Sequence, residues 1–167
     1  IIMLGLLCIG SSVSKAGDPF SIVAVVNDDA ISSADVRDRT LLMLVSSGLR
    51  NTAQNRDRIR LQVIDSLIEE QLKIQEAANQ NLTVIPEEIE KGFATLAAQN
   101  KMNPEQFASI LRQQDIPKRT LDHQIKAQVA WSKIISDILR PQIDVTEADV
   151  NSKMQRMKYS EGKTEYL

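Results

Sequence analysis

The side chains able to do chemistry are few, and their spacing suits it poorly. His123 is the only imidazole in the 167 residues and Cys8 the only thiol. A general base must sit within hydrogen-bond reach of the proton it takes, and no Ser or Cys nucleophile stands at a suggestive spacing from His123. A metal centre built on imidazole needs a second His or a carboxylate constellation in register, and His123 has no His partner. A boundary place on an amphipathic helix, beside Asp122, accounts for it better. Two carboxylate runs remain, Glu69-Glu70 and Glu87-Glu88-x-Glu90. Either offers groups for a cation or for acid–base work. Yet Glu87 and Glu88 follow Pro86, where acids complement the positive end of a helix dipole, and Glu69-Glu70 fall toward the polar side of a long helix. Gly17, Gly48, Gly92 and Gly162 make no phosphate-cradling loop. No catalytic residue, metal ligand or cofactor is expected.

Apolar contact is the chemistry that remains. Beyond residue 16 the chain carries 13 Gln, 8 Asn and four Met, at 43, 102, 154 and 157. Flexible thioethers suit surfaces that adapt to several partners. Met102 falls in a turn between the helices carrying Phe93 and Phe107, a place hard to bury fully. Phe93, Met102 and Phe107 are therefore the candidate peptide-binding cluster. The competing reading is that the two rings only pack their helices together. Full burial of both Met102 and Phe107 would remove the surface.

The elements that must position these residues are mostly helical. Only six Gly and five Pro argue against an all-β or loop-rich architecture. Ser21 to Val26 is one continuous β-branched run, then Asn27-Asp28-Asp29 turns the chain and Ala30-Ile31-Ser32 returns briefly. A run without polar alternation asks for burial on both faces, and an isolated hairpin is marginal in water. The strand is thus expected to pair with something further. Ser32 opens a capping box with Asp35, starting a helix to about Ser46 with Gly48 near its end. The next helix is expected over about 56–81. Its apolar residues from Ile59 through Leu72 to Ala78 cover a broad arc, which reads as a central core helix. Pro86 and Asn103-Pro104 begin two further helices. Another runs from about Lys118 to Leu139, and a last one from the Thr146-Asp149 capping box to about Met157. The fold class is mostly α, about six helices with a short N-terminal hairpin or strand.

Charge and the chain ends complete the frame. The 20 Lys+Arg and 22 Asp+Glu give a net charge of −2, without the basic footprint of a nucleic-acid binder. Ile1 to Ile9 is an uninterrupted apolar run, too short to span a bilayer and suited to the core of an export signal. Ser14 and Ala16 form a small-x-small site, so cleavage is expected after Ala16. Residues 1–16 read as a signal peptide, 17–157 as the helical domain, and 158–167 as the start of a linker. The product then has no Cys and a net charge of −3, and no stable membrane insertion is expected of it.

Three stretches carry a resemblance: Ile22 to Val36, Val63 to Gln75 (Val-Ile-Asp-Ser-Leu-Ile-Glu-Glu-Gln-Leu-Lys-Ile-Gln) and Ala97 to Phe107 (Ala-Ala-Gln-Asn-Lys-Met-Asn-Pro-Glu-Gln-Phe). Behind an export signal and in this order, they resemble the N-terminal chaperone domain of SurA-type periplasmic proteins. The resemblance implies a periplasmic, ATP-independent domain that binds unfolded outer-membrane proteins. It also implies that one or two parvulin-type peptidyl-prolyl isomerase domains follow, and that a C-terminal segment returns to complete the first domain. Tyr159 to Leu167 looks like the approach to such a parvulin domain. No parvulin catalytic residue is present to carry over. On this reading the sequence is a fragment, and the returning segment is the partner of the opening strand. The alternative is a helical adaptor with a specific folded partner.

Overall fold

The computed structural model describes residues 21–140 and 151–157. The signal-peptide and cleavage-site expectations, the Thr146-Asp149 capping box and the segment 158–167 lie outside them. Two strands, β1 (Ile22–Val26) and β2 (Asp29–Ser32), precede five α-helices: α1 (Ser33–Ser46), α2 (Ala53–Asn79), α3 (Pro86–Gln99), α4 (Pro104–Gln113) and α5 (Lys118–Ile134). A π-helical turn over Ile135–Leu139 extends α5, and 151–157 are helical. The mostly helical class with a short N-terminal hairpin is what the sequence led us to expect. The chain divides into two compact units, one of residues up to Glu69 with Ala108–Thr120, the other of Glu70–Phe107 with residues from Leu121 onward.

In the first unit, β1 and β2 pair antiparallel, with Val26 opposite Asp29 and a register irregularity between Ile22 and Ala24. Asn27 takes φ 54°, a left-handed turn conformation that Asn tolerates better than most residues. Among the described residues the strand is covered on part of its surface only. Ile22 and Val25 are 65% and 62% exposed, while Val26 and Ile31 are buried. Val23 and Ala24, at the register irregularity, are both partly buried against the same core. That core joins Val26, Ile31, Val36, Leu44, Ile59, Val63 and Leu67.

The start of α1 follows its sequence signal. The Ser32 Oγ accepts from the Asp35 amide (3.2 Å), and the Asp35 carboxylate accepts from the Ser32 amide (2.9 Å). The start of α2 does not follow. It begins at Ala53 rather than Arg56, because Thr52 caps it and its Oγ1 accepts from the Asn55 amide at 3.2 Å. Its buried positions are also narrower than the sequence suggested: Ile59, Val63, Leu67, Glu70 and Ala77. Leu72 is 48% exposed and Ala78 is exposed. The apolar arc marked what α2 is able to bury, not what packs against it.

In the second unit, Ala77, Ala130 and Ile134 are buried with Leu82, Val84 and Trp131 against them. Ala77 of α2 and Ala130 of α5 are the small members of that cluster. Gly92 of α3 lets that helix approach α5, since a Cβ on it would lie 2.5 Å from Ile125 Cγ2.

Candidate functional site

Phe93, Met102 and Phe107 all belong to the second unit, and three local devices place them. Phe93 projects from the middle of α3, whose start is set by Pro86 and by Glu88. The Glu88 carboxylate accepts from the Ile85 amide (3.0 Å) and from Lys133 Nζ (2.7 Å). Both donors, Lys133 first, hold that carboxyl below its ordinary value. Lys133 also donates to the Thr83 carbonyl at 2.7 Å, so one ammonium ties α5 to the entry of α3. Phe107 lies in the first turn of α4. There the Asn103 Oδ1 accepts from the Gln106 amide (2.8 Å), and the Gln106 Oε1 accepts from the Asn103 amide (3.1 Å). This is a reciprocal capping box.

Met102 is placed by the end of α3. Lys101 takes φ 59°, and the Met102 amide donates to the Ala97 carbonyl at 3.0 Å. That six-to-one bond after a left-handed residue is a Schellman ending, whose following residue is commonly apolar. Met102 therefore has a structural reason to be apolar that its position in a turn did not reveal.

The three side chains do not share one environment. Phe93 is 1% exposed, whereas Met102 and Phe107 are half-buried. The Phe93 and Phe107 rings meet with centroids 5.3 Å apart and planes at 49°, a tilted aromatic pair. Phe93 thus backs the surface from within, and only Met102 and Phe107 reach solvent. The arrangement offers apolar contact and no proton or metal chemistry.

The titratable clusters are structural in their surroundings. His123 Nδ1 lies 3.1 Å from Glu70 Oε2, and Nε2 lies 3.3 Å from Gln71 Oε1. Glu70 is only 7% exposed, which corrects its expected place on the polar side of α2. The pairing with His123, 53 positions later, is one of the contacts that offset its burial. Among the described residues, no three His, Cys, Asp or Glu side chains are grouped to hold a metal ion.

One charged cluster escaped the sequence reading. Asp38 of α1 is 1% exposed, and its two oxygens accept from Arg37 Nη2 (2.7 Å) and Arg119 Nη2 (3.0 Å). Beside it, buried Arg39 donates through Nη2 to the Thr120 carbonyl at 3.2 Å. All five residues lie in the first unit. The run Arg37-Asp38-Arg39 looks like a solvated surface in sequence, because the partners Arg119 and Thr120 arrive only through the fold.

Comparison with known proteins gives a family. The model of the SurA-like N-terminal domain matches residues 1–135. The protein named Chaperone SurA from Chromohalobacter salexigens is 28% identical over 130 residues, covering 77% of this chain and 30% of that protein. Proteins of the same name match more of the chain. The one from Yersinia pestis bv. Antiqua is 24% identical, over 93% of this chain and 36% of its own length. The one from Pseudomonas fluorescens is 25% identical, over 95% and 39%. The chain spans about a third of the length of these relatives.

Proposed function

Because the chain belongs to the SurA-like N-terminal domain family, we propose that it is a chaperone domain that binds unfolded outer-membrane polypeptides in the periplasm. The observation that carries the reading is the family match over residues 1–135, joined by relatives named as chaperones. Binding on this reading is reversible and independent of ATP. Client segments lie against weak apolar surface such as the half-buried Met102 and Phe107, with Phe93 behind them. Weak contacts suit a holdase, whose affinity is set mainly by how fast the client leaves.

Export by a signal peptide cleaved after Ala16 belongs to the same proposal. Among the described residues, no helix is long and apolar enough to cross a membrane. Peptidyl-prolyl isomerisation by a longer parent protein is also part of it, placed on residues other than these. A proline-isomerisation assay on the 167-residue chain is expected to return the uncatalysed rate.

The direct test is light scattering from a urea-denatured outer-membrane barrel protein diluted into buffer. The chain in stoichiometric excess is expected to suppress the aggregation. Undiminished scattering would overturn the chaperone reading in favour of a helical adaptor with one folded partner.

A further inference from the structure

In the first unit, α1 and the first turns of α2 line a surface pocket of about 190 Å³ that opens to solvent. Its wall combines three guanidinium groups (Arg37, Arg56, Arg60), one carboxylate (Asp57) and the apolar side chains of Val36 and Leu41. This is a local excess of positive charge in a chain of net charge −2. Arg37 spends Nε and Nη2 on Asp38, at 2.9 and 2.7 Å, and Arg56 gives Nη1 to Asn51 at 2.7 Å. The side chains of Arg60 and Asp57 make no hydrogen bond or ion pair within the described residues, although they sit three residues apart on one helix.

The size and the mixture of groups narrow the ligand. Ordinary small-molecule sites start at about 300 Å³, so this pocket admits little more than one amino-acid residue. Guanidinium groups match carboxylate and phosphate alike. A multiply charged phosphate is repelled by Asp57 and leaves half-buried Leu41 without an apolar partner. A peptide terminus uses all three kinds of wall.

We propose that this pocket binds the C-terminal residue of an extended polypeptide. Arg56 and Arg60 take the α-carboxylate, Asp57 accepts from the last amide N–H, and half-buried Leu41 receives an apolar side chain, with core residue Val36 behind it. The proposal rests on the reading of the chain as a binder of unfolded polypeptides. It assigns to that binding a polar anchor separate from the Met102 and Phe107 surface.

Fluorescence anisotropy tests it on the full chain, with a labelled polar peptide ending in leucine, made as free acid and as C-terminal amide. The free acid is expected to bind about tenfold more tightly, the worth of one charge-assisted hydrogen bond. In the double variant R56Q/R60Q that preference is expected to vanish, with the thermal melting curve unchanged. Equal affinity for acid and amide overturns the proposal. So does displacement of the free acid by inorganic phosphate at concentrations where acetate has no effect, which marks an anion site rather than a terminus site. Aggregation suppression measured alongside separates the two readings. Suppression without acid preference leaves the chaperone proposal standing and removes this one, while acid preference without suppression does the reverse.

Discussion

Gly92 lacks a side chain where Ile125 already occupies the space. Ala is the better helix former by about 1 kcal/mol, so G92A stabilises on propensity alone. A methyl there meets Ile125 Cγ2 at 2.5 Å, and Ile125 is buried and β-branched, with little rotamer freedom on a helix. An overpacking cost of about 1–3 kcal/mol exceeds that gain, and urea denaturation of G92A is expected to show a net loss of up to about 2 kcal/mol. Asp38 makes a different point. Arg37 and Arg119 are 60% and 69% exposed, while the carboxylate between them is 1% exposed. Losing either arginine leaves the other in place and is expected to cost under about 1 kcal/mol. Losing both strands a buried charge, so R37A/R119A is expected to cost about 3 kcal/mol or more. A double-mutant cycle read by urea denaturation checks that non-additivity. Glu88 supplies a pH dependence. Its folded value is held below the ordinary 4.5 by Lys133 and the Ile85 amide. Its stabilising contribution is therefore complete above 4.5 and lost as pH falls through the lowered value. Thermal melting between about pH 5 and pH 3 is expected to fall less steeply in E88Q than in the parent chain.

Helix ends show where the sequence speaks for itself and where it does not. The capping boxes at Ser32 and Asn103 and the prolines at 86 and 104 were legible, because each acts within one turn of the chain. The helix exits share a second device. The amides of Leu49, Leu82, Met102 and Ile116 donate to the carbonyls of Leu44, Ala77, Ala97 and Leu111, at 2.8–3.0 Å. Each bond follows a left-handed residue: Gly48, Asn81, Lys101 and Asp115. Only the glycine advertises that conformation. Lysine gains nothing from it, since αL costs a side-chain-bearing residue about 1–2 kcal/mol and Asn or Asp tolerates it best. K101G is expected to stabilise by up to about 1 kcal/mol after glycine's own entropy cost, read as a raised melting temperature. What stayed illegible depends on distant partners. Glu70 is buried facing His123, Asp38 is buried between Arg37 and the distant Arg119, and Leu72 is left 48% exposed.

For the molecule as a whole, class and family were readable, and the details of the binding surface were not. Helical periodicity and the ordered stretches from Ile22 to Phe107 lead to the family that the comparisons establish. The candidate cluster was only partly legible. Spacing brings Phe93 and Phe107 together, yet burial divides them, with Phe93 inside and Phe107 at the rim. If the rim contacts clients, M102S is expected to raise the concentration needed for half-maximal aggregation suppression by about threefold, consistent with losing a partly buried apolar side chain. Circular dichroism at unchanged helicity separates that effect from unfolding.

The Schellman ending at Met102 also bears on how this position changes through evolution. The hydrogen bond from the Met102 amide to the Ala97 carbonyl and the left-handed turn at Lys101 make a Schellman ending, which is commonly accompanied by an apolar residue at this position whether or not any client is bound. Position 102 is therefore expected to stay apolar in descendants that lost their clients, and the pairing of Phe107 with buried Phe93 holds an aromatic ring at 107 for the same structural reason, so retention at either position is no trace of selection for clients.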